Sequence, residues 1–109
     1  MGRKGAKLTE RATEAAEGLV AELAPLGEVT SRKMFGGYGI YEDGVMFVLV
    51  SSEGLPFLRV DDALRAELES EGAASPGKMP YVSVPGWPQP NDLLGRAERA
   101  LGIARDAKR

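Results

Sequence analysis

Residues 32–47 read Arg-Lys-Met-Phe-Gly-Gly-Tyr-Gly-Ile-Tyr-Glu-Asp-Gly-Val-Met-Phe, and no other stretch restricts the fold so tightly. Asp43-Gly44 stands between two apolar runs. A two-residue hairpin turn of type I′ needs positive φ at both central positions, and Asp-Gly supplies it. The flanking runs then become antiparallel strands over 37–42 and 45–50. Gly36, Gly37 and Gly39 lie just upstream. Glycines so close to a hairpin suit a bulge, a sharp bend, or a point where another backbone or a ligand comes near.

The rest of the chain supplies neighbours for that hairpin. Residues 1–7 are small, glycine-bearing and basic, which predicts a flexible N-terminus ahead of one domain over 8–109. Leu8, Ala12, Ala15, Leu19 and Leu23 recur at helical spacing and predict a helix over about 9–24, with Thr9 as its cap. Pro25 and Gly27 stop it. A first strand over 29–35 precedes the hairpin. A fourth follows at 56–60, with Pro56 at a strand start or on an edge because it lacks an amide donor. Asp61-Asp62 opens a second helix with Leu64 and Leu68 facing inward, and Gly72 ends it. A fifth strand runs over 79–84. After the proline-dense connector 85–90, a last helix carries Leu94, Ala97, Leu101 and Ala104 as its apolar stripe. The order α-β-β-β-β-α-β-α predicts an α+β domain of two layers: an antiparallel sheet of about five strands with three helices mainly on one face.

The pattern also predicts a core. Met34, Phe35, Phe47, Leu49 and Leu58 should meet Leu19, Leu23 and Leu101 between sheet and helices. The run 45–50 is apolar on both alternating faces, as for a central strand. With helices on one side only, the other face needs a cover. A symmetric homodimer through that face or an edge strand is one solution. The other is the 85–90 connector folding over it, with Trp87 as the plug.

Composition excludes several chemistries. The chain has no cysteine and no histidine, so a structural zinc site and Ser-His-Asp or Cys-His catalysis have no ligands or bases to work with. No cofactor and no metal is expected. Asp61-Asp62 is explained by helix capping. No apolar run is long enough for a membrane span, and no apolar segment follows the basic N-terminus as in a secretory signal, so a cytoplasmic protein is expected. The net charge of −2 is unevenly spread: 1–11 carries +3, 96–109 carries +3, and 12–95 carries −8. An acidic body with basic ends predicts no tight direct binding of nucleic acid.

Two motifs invite functional readings. Gly36-Gly37-Tyr38-Gly39 resembles a phosphate loop only in glycine content, because a strand and not a helix follows it. Arg32 and Lys33 beside Tyr38 and Tyr41 have the composition of a stacking platform, but core and solvent roles explain them as well. As surfaces for a partner, the candidates are Arg32, Lys33, Gly36, Gly37, Tyr38, Tyr41 and Trp87.

A family resemblance rests on Val29, Arg32, Met34-Phe35-Gly36-Gly37, Gly39-Ile40-Tyr41, Gly44, Met46-Phe47 and Arg59-Val60-Asp61. Tyr81, the aspartate before Leu93-Leu94, and Ala100-Leu101 extend it to the last helix. Over nearly the whole chain from about Leu8, these residues resemble the N-terminal domain of the TfoX/Sxy family of bacterial competence regulators. The resemblance implies the α+β fold and a non-enzymatic role through protein contacts, with transcription machinery as the class of partner. Full-length members carry a second, C-terminal domain, so the expectation is a single-domain member. The alternative class is a small binding module: a peptide or small-molecule pocket near the glycine corner, or a weak nucleic-acid binder through the basic termini.

Overall fold

The computed structural model describes residues 3–34, 36–75 and 79–108, with side chains from residue 10 onward. Its elements are α1 (Arg3–Leu23), a short 3-10 turn (Ala24–Leu26), β1 (Val29–Met34), β2 (Gly37–Glu42), β3 (Val45–Val50), β4 (Pro56–Arg59), α2 (Asp62–Ser70), β5 (Tyr81–Ser83) and α3 (Leu93–Lys108). The five strands form one antiparallel sheet in chain order, β1-β2-β3-β4-β5. The predicted α+β architecture is therefore the observed one.

The hairpin forms where its turn residues require. Asp43 and Gly44 have φ of 52° and 79°, the positive pair of a type I′ turn. At the glycine corner Gly37 faces β3 so closely that a Cβ there would collide with the carbonyl oxygen of Val50. The one irregularity of the hairpin lies further along. Ile40 pairs with Val48 and Tyr41 with Met46, so Phe47 is the extra residue of a β-bulge. The bulge breaks the two-residue alternation, and Phe47 and Val48 are both fully buried.

The register of the strands corrects the expected core. Phe47 and Leu58 do join Leu19, Leu23 and Leu101 in one cluster. Met34 and Leu49 do not: they are half-buried on the opposite face of the sheet. Phe35 lies outside the described residues. The cluster is completed by Ile40, Val48, Val50 and Val82 from the sheet and by Leu64 and Leu68 of α2. Helix α1 contributes Ala12, Ala16, Leu19 and Leu23, and α3 contributes Ala97, Ala100, Leu101 and Ala104. An alanine face lets α3 come close to β3 and β4, its principal neighbours in the sheet.

Several boundaries also move. Helix α1 begins at Arg3, not near Thr9, so it takes in residues 3–8 as well. Ala6, Lys7 and Leu8 are good helix formers, and one glycine at position 5 costs only about 1 kcal/mol. Asp61 caps α2 by accepting the Leu64 amide at 2.8 Å. Asp92 accepts the Gly95 amide at 3.2 Å ahead of α3. Leu94 is 40% exposed and lies off the buried stripe of α3. Glu67 and Glu71 of α2 pair across to α3: Arg99 reaches Glu67 at 2.7 Å and Arg96 reaches Glu71. All three helices thus sit on one side of the sheet.

Candidate functional site

Register decides which side chains share the face that these helices leave open. Arg32 pairs with Gly39, Gly39 with Leu49, Leu49 with Phe57, and Phe57 with Ser83. Paired residues project to the same side, so these five form one row across the sheet. Tyr41 pairs with Met46, and Arg59 with Tyr81, in a second row. Met34 opposes Gly37 at the glycine corner.

Gly39 makes this face possible. A Cβ at that position would lie 2.6 Å from the Met46 sulfur and 3.0 Å from the Met34 sulfur and the Tyr41 ring. Without it, the three side chains close over the backbone. The Tyr41 hydroxyl lies 4.0 Å from the Met34 sulfur. Beside them is a groove of about 280 Å³ lined by Met34, Gly37, Met46, Leu49, Val50 and Met79, together with Ser51 and Ser52. Met79 is 44% exposed at its rim.

The charges on this face are arginines. The Arg32 guanidinium lies 5.0 Å from the centre of the Tyr41 ring, and that of Arg59 lies 5.9 Å from the centre of the Tyr81 ring. Among the described residues neither arginine forms an ion pair. Burial holds the Tyr81 phenol above its ordinary value, and the Arg59 contact only partly opposes the shift. The carboxylates sit elsewhere. Glu10, Glu14, Glu17 and Glu22 are exposed on α1, in the helical layer. Glu42, only 8% exposed, points to the helical side and pairs with Arg105.

The seven candidate residues divide between the two faces. Arg32 and Tyr41 come together on the open side, as the ring contact shows. Lys33 pairs with Tyr38 on the helical side. The Tyr38 hydroxyl is 2.7 Å from the Thr13 hydroxyl of α1, so this tyrosine ties helix to sheet. The interleaved platform of Tyr38 and Tyr41 is thereby ruled out, since one strand sends them to opposite faces. Gly36, with φ of 82°, turns the chain from β1 into β2, and Gly37 fits beneath Val50. Trp87 packs half-buried against the core, beside Pro56 and Val84. It does not lie over the open face, so the connector leaves that face uncovered.

Sequence reasoning missed Met46, Phe57, Arg59, Met79 and Tyr81 as members of one surface. Their signal was the alternation of apolar and basic residues along strands of unknown register. Among the described residues no cluster of acidic side chains could hold a metal ion, and no helix is long and apolar enough to cross a membrane. Compared with known proteins, residues 21–107 match the TfoX N-terminal domain. A search of curated proteins gave no match.

Proposed function

Because the chain belongs to the TfoX N-terminal domain family, we propose that it is a non-enzymatic regulatory protein that works by docking a protein partner on its open sheet face. The family match supports a competence-related regulatory setting. The observation that carries the docking reading is the face itself: Met34, Met46, Leu49 and Phe57 are half-buried with no helix over them. Methionine-rich surfaces adapt to a partner's shape because the side chain is unbranched and polarizable. The partner that fits presents apolar side chains flanked by carboxylates, which Arg32 and Arg59 can receive. A component of the transcription machinery is the partner class that the family setting favours. Tight direct binding of nucleic acid is no part of this reading, since the body of the chain, 12–95, carries a net charge of −8.

Affinity capture from cell extract tests it. Wild-type protein should retain a transcription factor or polymerase subunit that a Leu49→Asp variant loses. Recovery of small metabolites alone would overturn it. A second copy of the chain is the other occupant, and the position of Trp87 away from the face favours it. Light scattering separates the two: a dimeric mass abolished by Leu49→Asp assigns the face to self-association, and a monomer at high concentration leaves it for a foreign partner. The glycine-corner groove supports a further reading as a peptide pocket, which the same capture experiment would reveal.

A further inference from the structure

The open face ends in a crevice that shares Arg59 with the proposed docking surface and reaches beyond it to α3. It measures about 350 Å³ and lies between the hairpin tip, the end of β4 and the last turn of α3. Arg59 and Tyr81 form one wall, Tyr41 and Met46 another, and Ala107 and Lys108 close the side towards α3. Among the described residues that line it, none is a carboxylate. Four other arginines, at 65, 96, 99 and 105, are paired with glutamates, whereas Arg59 has no ion pair among the described residues. The Arg59 Nε is buried without an acceptor, and an orphaned donor on a charged group is costly to leave so. Lys108 reaches over from α3 and donates to the Gly44 carbonyl at 3.4 Å, a long contact that leaves its ammonium free for a stronger acceptor.

We infer that this crevice binds an organic anion: an apolar or aromatic body bearing a carboxylate or a phosphate monoester. Arg59 supplies the planar fork that both groups accept. Lys108 supplies a second positive charge. The hydroxyl of Tyr81, protonated at neutral pH like any phenol, can donate. Met46 and the two tyrosine rings receive the apolar body. The carbonyl end of α3 brings partial negative charge to the same place, so binding should be modest, with a dissociation constant on the order of 1 mM for a single-ring ligand. The site goes beyond the docking role and does not depend on it.

Amide-resolved NMR titration of the full chain tests this with benzoate, phenyl phosphate and neutral benzamide. Benzoate or phenyl phosphate should give saturable shifts confined to the amides around Val45, Arg59, Tyr81 and Lys108. The tighter of the two identifies the acidic group. Benzamide should not saturate. Arg59→Gln should weaken binding by about tenfold. Should that variant unfold, two exposed positions on α3 carry the test. Lys108→Ala should weaken binding several-fold, and Ala107→Leu should block it while removing no charge. Equal binding of benzamide, shifts scattered over Arg65, Arg96 and Arg99, or affinity unchanged in both α3 variants would overturn the site.

Discussion

The two faces of the sheet are made by the same strands and obey different rules. The inner face is aliphatic and closed: Ile40, Val48, Val50, Leu58 and Val82 are each no more than 1% exposed under the helices. Branched side chains with few rotamers fit one arrangement there, as close packing requires. The outer face is built from Met34, Met46, Leu49, Phe57 and two tyrosines, with arginines over the tyrosine rings. Apart from Tyr81, which is buried, its side chains are only half-covered. The contrast separates what fixes the fold from what is available for recognition. A domain of this size can spare one face of its sheet because the other already carries a continuous core.

The sharpest way to break this contrast is to remove a ring from the closed side. Phe47→Ala deletes a fully buried side chain and should cost about 3–5 kcal/mol in chemical denaturation. A cost below about 1 kcal/mol would mean that the bulge leaves Phe47 loosely held and that the inner face is not the organising one.

Two glycines of one strand come next, and they sharpen the comparison. Gly37→Ala pushes a Cβ into the Val50 carbonyl, which is backbone and cannot turn aside. Gly39→Ala meets the ends of Met34 and Met46, which can, and the edge of the open-face Tyr41 ring. Overpacking at the first should cost about 1–3 kcal/mol, and at the second less than about 1 kcal/mol. Equal costs in thermal unfolding would show that the methionines are locked and the outer face is as rigid as the inner.

Leu49→Ser probes the open face alone. The side chain is half-buried, so stability should fall by no more than about 1–2 kcal/mol, while partner or self-association is lost. A drop as large as that of Phe47→Ala would place Leu49 within a closed core.

The smallest effect lies among the helices. The hydrogen bond from Arg99 holds the exposed Glu67 carboxyl below its usual range. A folded-state pKa depressed in this way stabilises above the unfolded value, and the gain disappears as pH falls through the folded one. The difference in melting temperature between wild type and Glu67→Gln should therefore be slight near neutrality and vanish under acid conditions. A difference that grows on acidification would contradict the ion pair.

Legibility in the sequence followed the same division. Strands β2 and β3 were readable to the residue because Asp43-Gly44 fixes their turn, and every helix announced itself by an apolar stripe. Leu49 was assigned to the wrong face because nothing in the letters marks Phe47 as the extra residue of a bulge, and one extra residue reverses every later side chain. Met34, on the regular strand β1, was misplaced because the letters do not say which alternate positions of that strand face the helices. The start of α1 was misjudged because its first turns are polar and carry no apolar stripe. Of the candidate surface residues, Arg32 and Tyr41 were placed with the right neighbours, and Lys33 and Tyr38 were not, since adjacent strand positions face opposite ways. The crevice was out of reach altogether. Arg59, Tyr81 and Lys108 come from three elements, and only the assembled sheet brings them together.

The order of strands in the sheet, identical to their order in the chain, has a consequence for how the molecule reaches this state. Each strand adds beside the one just made, so the first four need only short loops to close. Such a meander has low mean sequence separation between its partners, and chains of that kind fold quickly. Strand β5 is the exception, because α2 and a loop intervene before it can pair with β4. Helix α1, made first, must wait for the sheet it covers, and α3, made last, closes over β3 and β4. The hairpin around Asp43-Gly44 is thus the natural nucleus, and the two long helices are the clasp that shuts after it.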